Sequence, residues 1–365
     1  MWGDIAIAFL LAFITTFVLT PYTIKIANKI GAIDIPKDER RMHKKPIPKF
    51  GGPAIIVGFL VSTIYLILTL SLEGNLNIFN EKGQWLKLLG FILGVGVLSI
   101  FCFFDDTKGI HPLIKLLGQT IAATIVVACG VRISNFDIPF LQENIVLGNI
   151  ISIVITMFWI IGITNAINLI DGLDGLSTGI SIISCISLLI IFSLNNSPFI
   201  AIIMIATLVG SLSGFLPFNF NPAKTFIGDI GSNFIGFSIS IISILGIAKT
   251  ATAFVVVLPI IVLGLPIFDT VSAIVRRLIK GKSLKAVFKA DKGHLHHKLI
   301  EKGFSQKEAV LLLYGISVAC GMFAVILLES DIWKAVSFAL MVIAVGCIGY
   351  KEFSELKEEE NNKNK

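Results

Sequence analysis

The chain has little charge. Lys, Arg, Asp and Glu make up 15% of its 365 residues, where a soluble domain carries about 25%. With 55% hydrophobic residues and a mean hydropathy of +0.88, this excludes an ordinary soluble enzyme and leaves a polytopic membrane protein. Paired cysteines are also lacking. Cys102, Cys129, Cys185, Cys320 and Cys347 all lie in apolar stretches without paired spacing, so neither a disulfide framework nor a zinc site is indicated. Small buried hydrophobes account for them. The first apolar run lacks a positive n-region and a small-x-small cleavage site, so it reads as a retained span and not as a signal peptide. There is no clear internal repeat.

A spanning helix needs ~20 apolar residues, and eleven stretches meet that need. They are roughly 3–20, 52–72, 86–104, 113–131, 149–167, 175–194, 198–216, 231–247, 251–275, 309–328 and 332–350. The expected fold is therefore all-α, with about eleven transmembrane helices. Residues 1–350 form one integral membrane domain, and 351–365, KEFSELKEEENNKNK, form a charged tail of disordered composition. Residues 132–148 read as a short hairpin on the outer side.

Orientation follows from Lys and Arg. With the N-terminus outside and the C-terminus in the cytoplasm, 25 of the 30 basic residues fall on the inner side. That face attracts anionic lipid, and it would also attract a polyanionic substrate. The unusual polar residues fall on the same side: Asp105–Asp106, the run Asn165 to Asp174, the loop Asn219 to Asp229, and all five His. A transporter more often places such residues near the midplane.

Six Asp interrupt or end apolar stretches, and a carboxylate at membrane depth is costly enough to mark function. Asp105 and Asp106 follow FCFF at a helix C-terminus, which opposes negative charge and calls for a counter-cation. A plain solvated helix end is the bland alternative. Asn165, Asn168, Asp171 and Asp174 repeat every three residues, along one helical face or around a tight loop. Gly172 and Gly175 let the backbone approach a ligand, and four oxygen-bearing side chains suit a hard cation such as Mg²⁺. A capping loop explains any one of them but not the run. Gly228-Asp229-Ile230-Gly231-Ser232 opens a span, where Asp229 is either an N-cap or a metal ligand. His294, His296 and His297 lie in the most basic loop with Lys292 and Lys298, and they point to phosphate or sugar contact more than to zinc. Lys115 either snorkels or meets a phosphate near Asp105–Asp106. Asp269 is accounted for by an ion pair with Arg276 and Arg277.

These motifs, in this order, resemble the polyprenyl-phosphate N-acetylhexosamine-1-phosphate transferases, from DIPKDERRMHKKPIPKFGG at 34–52 to DKGHLHHKL at 291–299. The HLHH form and the eleven spans are similar to the WecA/TagO branch, which uses UDP-N-acetylglucosamine. The MraY branch, which uses UDP-N-acetylmuramoyl-pentapeptide, shows three consecutive His and ten spans.

The resemblance implies transfer of N-acetylglucosamine-1-phosphate from UDP-N-acetylglucosamine to undecaprenyl phosphate, releasing UMP, at the cytoplasmic face of a bacterial inner membrane. It implies Mg²⁺, with Mn²⁺ as a substitute. It assigns Asp105, Asp106, Asp171 and Asp174 to catalysis and Asp229 with Asp105 to the metal. Lys44, Lys45, Lys115, Asn165, Asn168, Asn219, Phe226, His294, His296 and His297 fall to the substrates, with Asn219 and Phe226 on the uracil. Beyond substrates and bilayer, a homodimer is compatible with the sequence, and no nucleic-acid partner is indicated.

Three other readings compete. One is phospho-N-acetylmuramoyl-pentapeptide transfer. A CDP-alcohol phospholipid synthase would need an Arg that DGLDGLSTG lacks. A lipid-linked sugar flippase would need charge along the spans and not at one end of them.

Overall fold

A computed structural model describes residues 2–36, 45–73, 83–138, 143–247, 257–281, 293–330, 332–344 and 346. It is almost wholly helical. The helices are α1 (Trp2–Ile30), α2 (Gly52–Leu72), α3 (Gln84–Lys108), α4 (Pro112–Ala128), α5 (Asn149–Ile170), α6 (Leu176–Leu194), α7 (Phe199–Asn219), α8 (Gly228–Ile247), α9 (Val257–Val262), α10 (Gly264–Gly281), α11 (Leu295–Glu301), α12 (Gln306–Glu329) and α13 (Ile332–Ala344). Two small antiparallel pairs complete it: β1 (Ile33–Asp34) with β2 (Ile47–Pro48), and β3 (Asn135–Ile138) with β4 (Glu143–Val146). The second pair is the hairpin expected within 132–148. The tail at 351–365 lies outside the described residues.

Eight helices among the described residues are long and apolar enough to cross a membrane: α1, α2, α3, α5, α6, α7, α8 and α12. α4 and α13 are apolar but shorter, so the expected eleven unbroken spans are not reproduced. The clearest difference is the stretch expected at 251–275. Its described part is two helices, α9 and α10, which meet at Leu263. The sequence LPIIVLGLPIF carries Pro259, Gly264 and Pro266 within eight residues, and each Pro removes a helical N–H and crowds the preceding turn.

The core is built on α7 and α8. α7 is apolar on every side and almost wholly buried, as is α8, the pattern of a helix enclosed by others. α1 lies along α7, where a Cβ on Gly210 or Gly214 would run into the carbonyls of Phe9 and Phe13. This is close packing through small residues, as expected in a bilayer where no hydrophobic force drives helices together. α8 touches α2, α3, α5, α6 and α7. The chain alternates direction, so the C-terminal ends of α1, α3, α5 and α7 and the N-terminal ends of α2, α4, α6, α8 and α12 gather at one end of the bundle. The β3–β4 hairpin caps the other.

Candidate active site

At the gathered end lies a cavity of about 340 Å³, lined by Asp34, Lys49, Asp106, Asn168, Asp171, Asp174, Asn219, Phe226, Asp229, Ser232 and Gln306, with the backbone of Gly172, Leu173 and Gly228. That volume suits a ligand of drug size. Five of those side chains are carboxylates and one is a cation.

α8 starts at Gly228, in the left-handed region at φ +73°, and its first N–H groups have no partner within the helix. Asp106, buried at the C-terminal end of α3, supplies one from across the bundle. Its two oxygens accept from Asp229 N (2.9 Å) and Ile230 N (3.0 Å), and Lys49 Nζ stands 3.6 Å away. The adjacent Asp105 diverges, as neighbours on a helix must. Its Oδ1 accepts from Ile110 N at 3.1 Å, and its Oδ2 lies 3.2 Å from Lys115 Nζ.

Lys115, in the first turn of α4, is the hub of the acid cluster. Its ammonium donates to Asp229 Oδ1 and to Asn168 Oδ1 (3.0 Å) besides pairing with Asp105. Asn168 Nδ2 donates to Asp229 Oδ1 (2.9 Å) and Ser232 Oγ (2.8 Å). Lys115 thus meets carboxylates and does not snorkel.

Asp171, the C-terminal cap of α5, is half-buried in the cavity wall. Burial, followed by the carboxylates of Asp229 and Asp106, pushes its pKa from the ordinary 3.8 up to about 8. Asp174 plays another part. Its Oδ2 accepts from Asn221 Nδ2 (2.9 Å) and Ala223 N (3.0 Å), holding the loop between α7 and α8.

Asn219 is buried and internally satisfied, accepting from Thr178 Oγ1 (2.8 Å) and donating to Thr225 O (3.1 Å). Phe226 is held by its backbone. Its N–H donates to Pro48 O (2.8 Å) and its carbonyl accepts from Gly51 N (3.0 Å), while its half-buried ring lines the cavity. Gly51 is required there, because a Cβ would run into the Phe215 ring and the Phe226 carbonyl.

The His motif sits beside the cavity. α10 presents buried Asp269, whose Oδ2 meets His294 Nδ1 at 2.7 Å and whose Oδ1 accepts from Leu295 N at 2.9 Å. Asp269 therefore fastens α11, and the expected pairing with Arg276 and Arg277 gives way to His294. Arg277 Nη2 instead faces His294 Nε2 at 3.4 Å. His296 is buried against Gly172, where a Cβ would strike its ring, and its Nδ1 has no hydrogen-bond partner among the described residues. Burial, then the neighbouring His297 and His294 rings, lower its pKa to about 3, so the ring is neutral at physiological pH and is no cationic phosphate clamp. The His297 ring lies 4.2 Å from that of His296, centre to centre.

Of the expected site residues, Asp106, Asn168, Asp171, Asp174, Asn219, Phe226 and Asp229 line one cavity. Asp105 and Lys115 stand behind it and His296 packs on its wall. Asn165 does not reach it, and it faces Gln119 in the layer beneath. Lys45 is exposed, and Lys44 lies outside the described residues. Sequence reasoning missed Asp34, Lys49, Ser232 and Gln306. Lys49 and Asp34 stand inside the very 34–52 segment that carried the resemblance. Ser232 is the Ser of the GDIGS motif.

The donor atoms facing the cavity are oxygens, the chemistry of a hard cation, and the Lys115 ammonium already answers part of the negative charge. Among the described residues no three Asp, Glu, His or Cys side chains converge as a ready metal cage. An open arrangement of this kind would suit Mg²⁺ shared between one or two carboxylates and the phosphates of a substrate.

Fold and site together define a polytopic membrane protein with an acidic, phosphate-compatible cavity at one end of its helices. The glycosyl transferase family 4 model matches residues 88–247, which carry Asp105, Asp106, Lys115, Asp171, Asp174 and Asp229. The chain is 36% identical over 339 residues to the probable undecaprenyl-phosphate N-acetylglucosaminyl 1-phosphate transferase of Bacillus subtilis, covering 93% of this chain and 89% of that one. It is 32% identical over 368 residues to the decaprenyl-phosphate N-acetylglucosaminephosphotransferase of Mycobacterium tuberculosis, covering 93% and 87%. Similarity is weaker, 29% over 332 residues, to the phospho-N-acetylmuramoyl-pentapeptide-transferase of Staphylococcus epidermidis, covering 86% and 96%. The chain belongs to the polyprenyl-phosphate N-acetylhexosamine-1-phosphate transferases.

Proposed function

We propose that the protein transfers N-acetylglucosamine-1-phosphate from UDP-N-acetylglucosamine to undecaprenyl phosphate and releases UMP. The observation that carries this reading is the meeting of carboxylates from three separate helix ends, Asp106 of α3, Asp171 after α5 and Asp229 of α8, around one cavity that also holds Lys49 and the Phe226 ring. Phosphoryl transfer is mostly positioning and charge neutralisation, and these groups supply both. Greater identity to the N-acetylglucosamine enzymes than to the muramoyl-pentapeptide enzyme supports the sugar.

The uracil stacks on Phe226, and Lys49, 3.6 Å from Asp106, meets the diphosphate. Asp229 would hold Mg²⁺, or Mn²⁺ in its place, and the bound cation would supply charge neutralisation for the diphosphate. Lys115 and Asn168 hold the Asp229 carboxylate in place. The lipid phosphate, already anionic near neutral pH, attacks directly. Both oxygens of Asp106 are engaged by backbone N–H groups, which supports a capping role for it over nucleophilic catalysis. Asp171 is placed to take up or release a proton near neutral pH.

The cavity end faces the cytoplasm of a bacterial inner membrane, by the inward excess of Lys and Arg. An amphiphilic acceptor then meets a soluble nucleotide sugar at the membrane surface. The test is UMP release by the purified protein across a panel of UDP-sugars with undecaprenyl phosphate. UDP-N-acetylglucosamine should give the highest kcat/KM, and a preference for UDP-N-acetylmuramoyl-pentapeptide would overturn the assignment.

A further inference from the structure

One helical turn beneath the acid cluster lies a second polar layer whose own side chains do not line the cavity. Gln119 on α4 is four residues after Lys115. Asn165 on α5 is three before Asn168, and Asn233 on α8 is four after Asp229. Each lies on the same helical face as its partner above. Gln119 is 1% exposed and Asn233 is fully buried. Gln119 Nε2 donates to Asn233 Oδ1 at 2.7 Å, and its Oε1 accepts from Asn165 Nδ2 at 2.7 Å. Asn233 Nδ2 donates in turn to the carbonyl of Asp229 at 2.8 Å. Gln119 thus bridges α4, α5 and α8 a second time, one turn below the bridge that Lys115 makes.

We propose that Gln119 is a positioning residue for the acid cluster. Its hydrogen bonds to Asn165 and Asn233 fix the register of the three helices that bring Lys115, Asn168 and Asp229 together, and Asn233 passes that constraint to the backbone of Asp229 itself. The physical argument is the environment. The layer is enclosed by apolar helices, where amide groups find no water, and an unmade bond there costs more than one at the surface. Three amides that satisfy one another specify a single alignment, whereas an apolar contact at the same place tolerates sliding. Thr164, the residue before Asn165, instead returns its hydroxyl to the carbonyl of Ile160 on its own helix.

The inference rests on the transfer activity proposed above, so wild-type protein is the first arm. Gln119→Met preserves length and removes both hydrogen bonds. It should lower kcat on the order of tenfold or more, as expected for a sub-ångström misplacement of reacting groups. The KM for UDP-N-acetylglucosamine should stay within about threefold, because Phe226 and Asn219 are held by other elements. Combined with Ser232→Ala, which acts on the same cluster from α8, the loss should be smaller than the product of the two single losses, since coupled residues are non-additive. Gln119→Asn, which keeps the amide, should retain more kcat than Gln119→Met. Melting temperature in detergent checks that each variant is folded. An unchanged kcat, a loss confined to KM, or fully multiplicative losses in the double variant would each overturn the proposal. If neither Gln119 variant folds, the layer serves folding alone and the proposal also fails. A wild-type protein that releases no UMP would instead overturn the transfer reading, so the two failures are distinguishable.

Discussion

At the scale of single residues, the site is a contest between carboxylates and the few groups able to neutralise them. Asp229 carries the largest share, touched by Lys115 and Asn168. Asp229→Asn removes a charge that both Lys115 and a divalent cation would share. Most turnover should vanish while the protein still inserts in the membrane, and near wild-type activity in limiting Mg²⁺ would refute its role as a ligand. Phe226 holds no such charge, and in the proposed reading it stacks on the uracil, which would be worth ~1–3 kcal/mol. Phe226→Ala should raise the KM for the UDP-sugar by roughly 5- to 150-fold at ~1.4 kcal/mol per decade and leave that for the lipid unchanged. The opposite pattern would place the ring on the lipid side. Asp171 gives a prediction in pH. Its carboxyl has an ordinary pKa of 3.8 and is pushed up to about 8 in the folded protein. Between those values the folded state holds the extra proton, so stability falls as pH rises through that window. Without donor or divalent cation, the melting temperature should decline from pH 5 to pH 8, and Asp171→Asn should flatten the decline. An equal slope in the variant would show that other groups titrate.

At the scale of elements, what was legible depended on whether one helix or several carry the signal. The carboxylates at helix ends stand out in the sequence because an isolated charge in an apolar chain has no local explanation. Asp106, Asp171, Asp174 and Asp229 meet in one cavity for that reason, whereas Asn219 and Phe226 were reached only through the family resemblance. Asn165 was misplaced because a three-residue repeat cannot say which turn faces a cavity and which faces another helix. Gln119 escaped notice because a lone polar residue inside an apolar run acquires meaning only from its partners, here Asn165 on α5 and Asn233 on α8. The break between α9 and α10 was masked by hydropathy, although Pro259, Gly264 and Pro266 marked it. Asp269 shows the same limit. Arg276 and Arg277 are its neighbours in sequence, but the chain returns His294 to it from beyond α10. This clamp between α10 and α11 gives an element-level prediction. Asp269→Ala would leave His294 and the Leu295 N–H without their buried acceptor, costing about 1–3 kcal/mol. A lowered melting temperature in detergent should show it, and an unchanged one would mean that α11 is held by its apolar contacts alone.

At the scale of the molecule, the alternating helices bring the cavity-lining side chains among the described residues to one end, and the proposed reading assigns that end to the cytoplasm from the bias of Lys and Arg. The segments 25–50, 276–307 and 351–365 hold 22 of the 30 Lys and Arg, so they should face the cytoplasm. A single Cys placed at position 283 in a Cys-free chain should resist an impermeant thiol reagent in intact cells, and ready labelling there would invert the topology. The central claim is that a sugar-1-phosphate, not a sugar, leaves the nucleotide. The most direct measurement uses UDP-N-acetylglucosamine labelled separately on its two phosphorus atoms, with purified protein and undecaprenyl phosphate. The phosphorus next to the sugar should appear in the lipid extract, and the phosphorus next to uridine should remain in soluble UMP. Both labels in soluble UDP, with only the sugar on the lipid, would contradict the account.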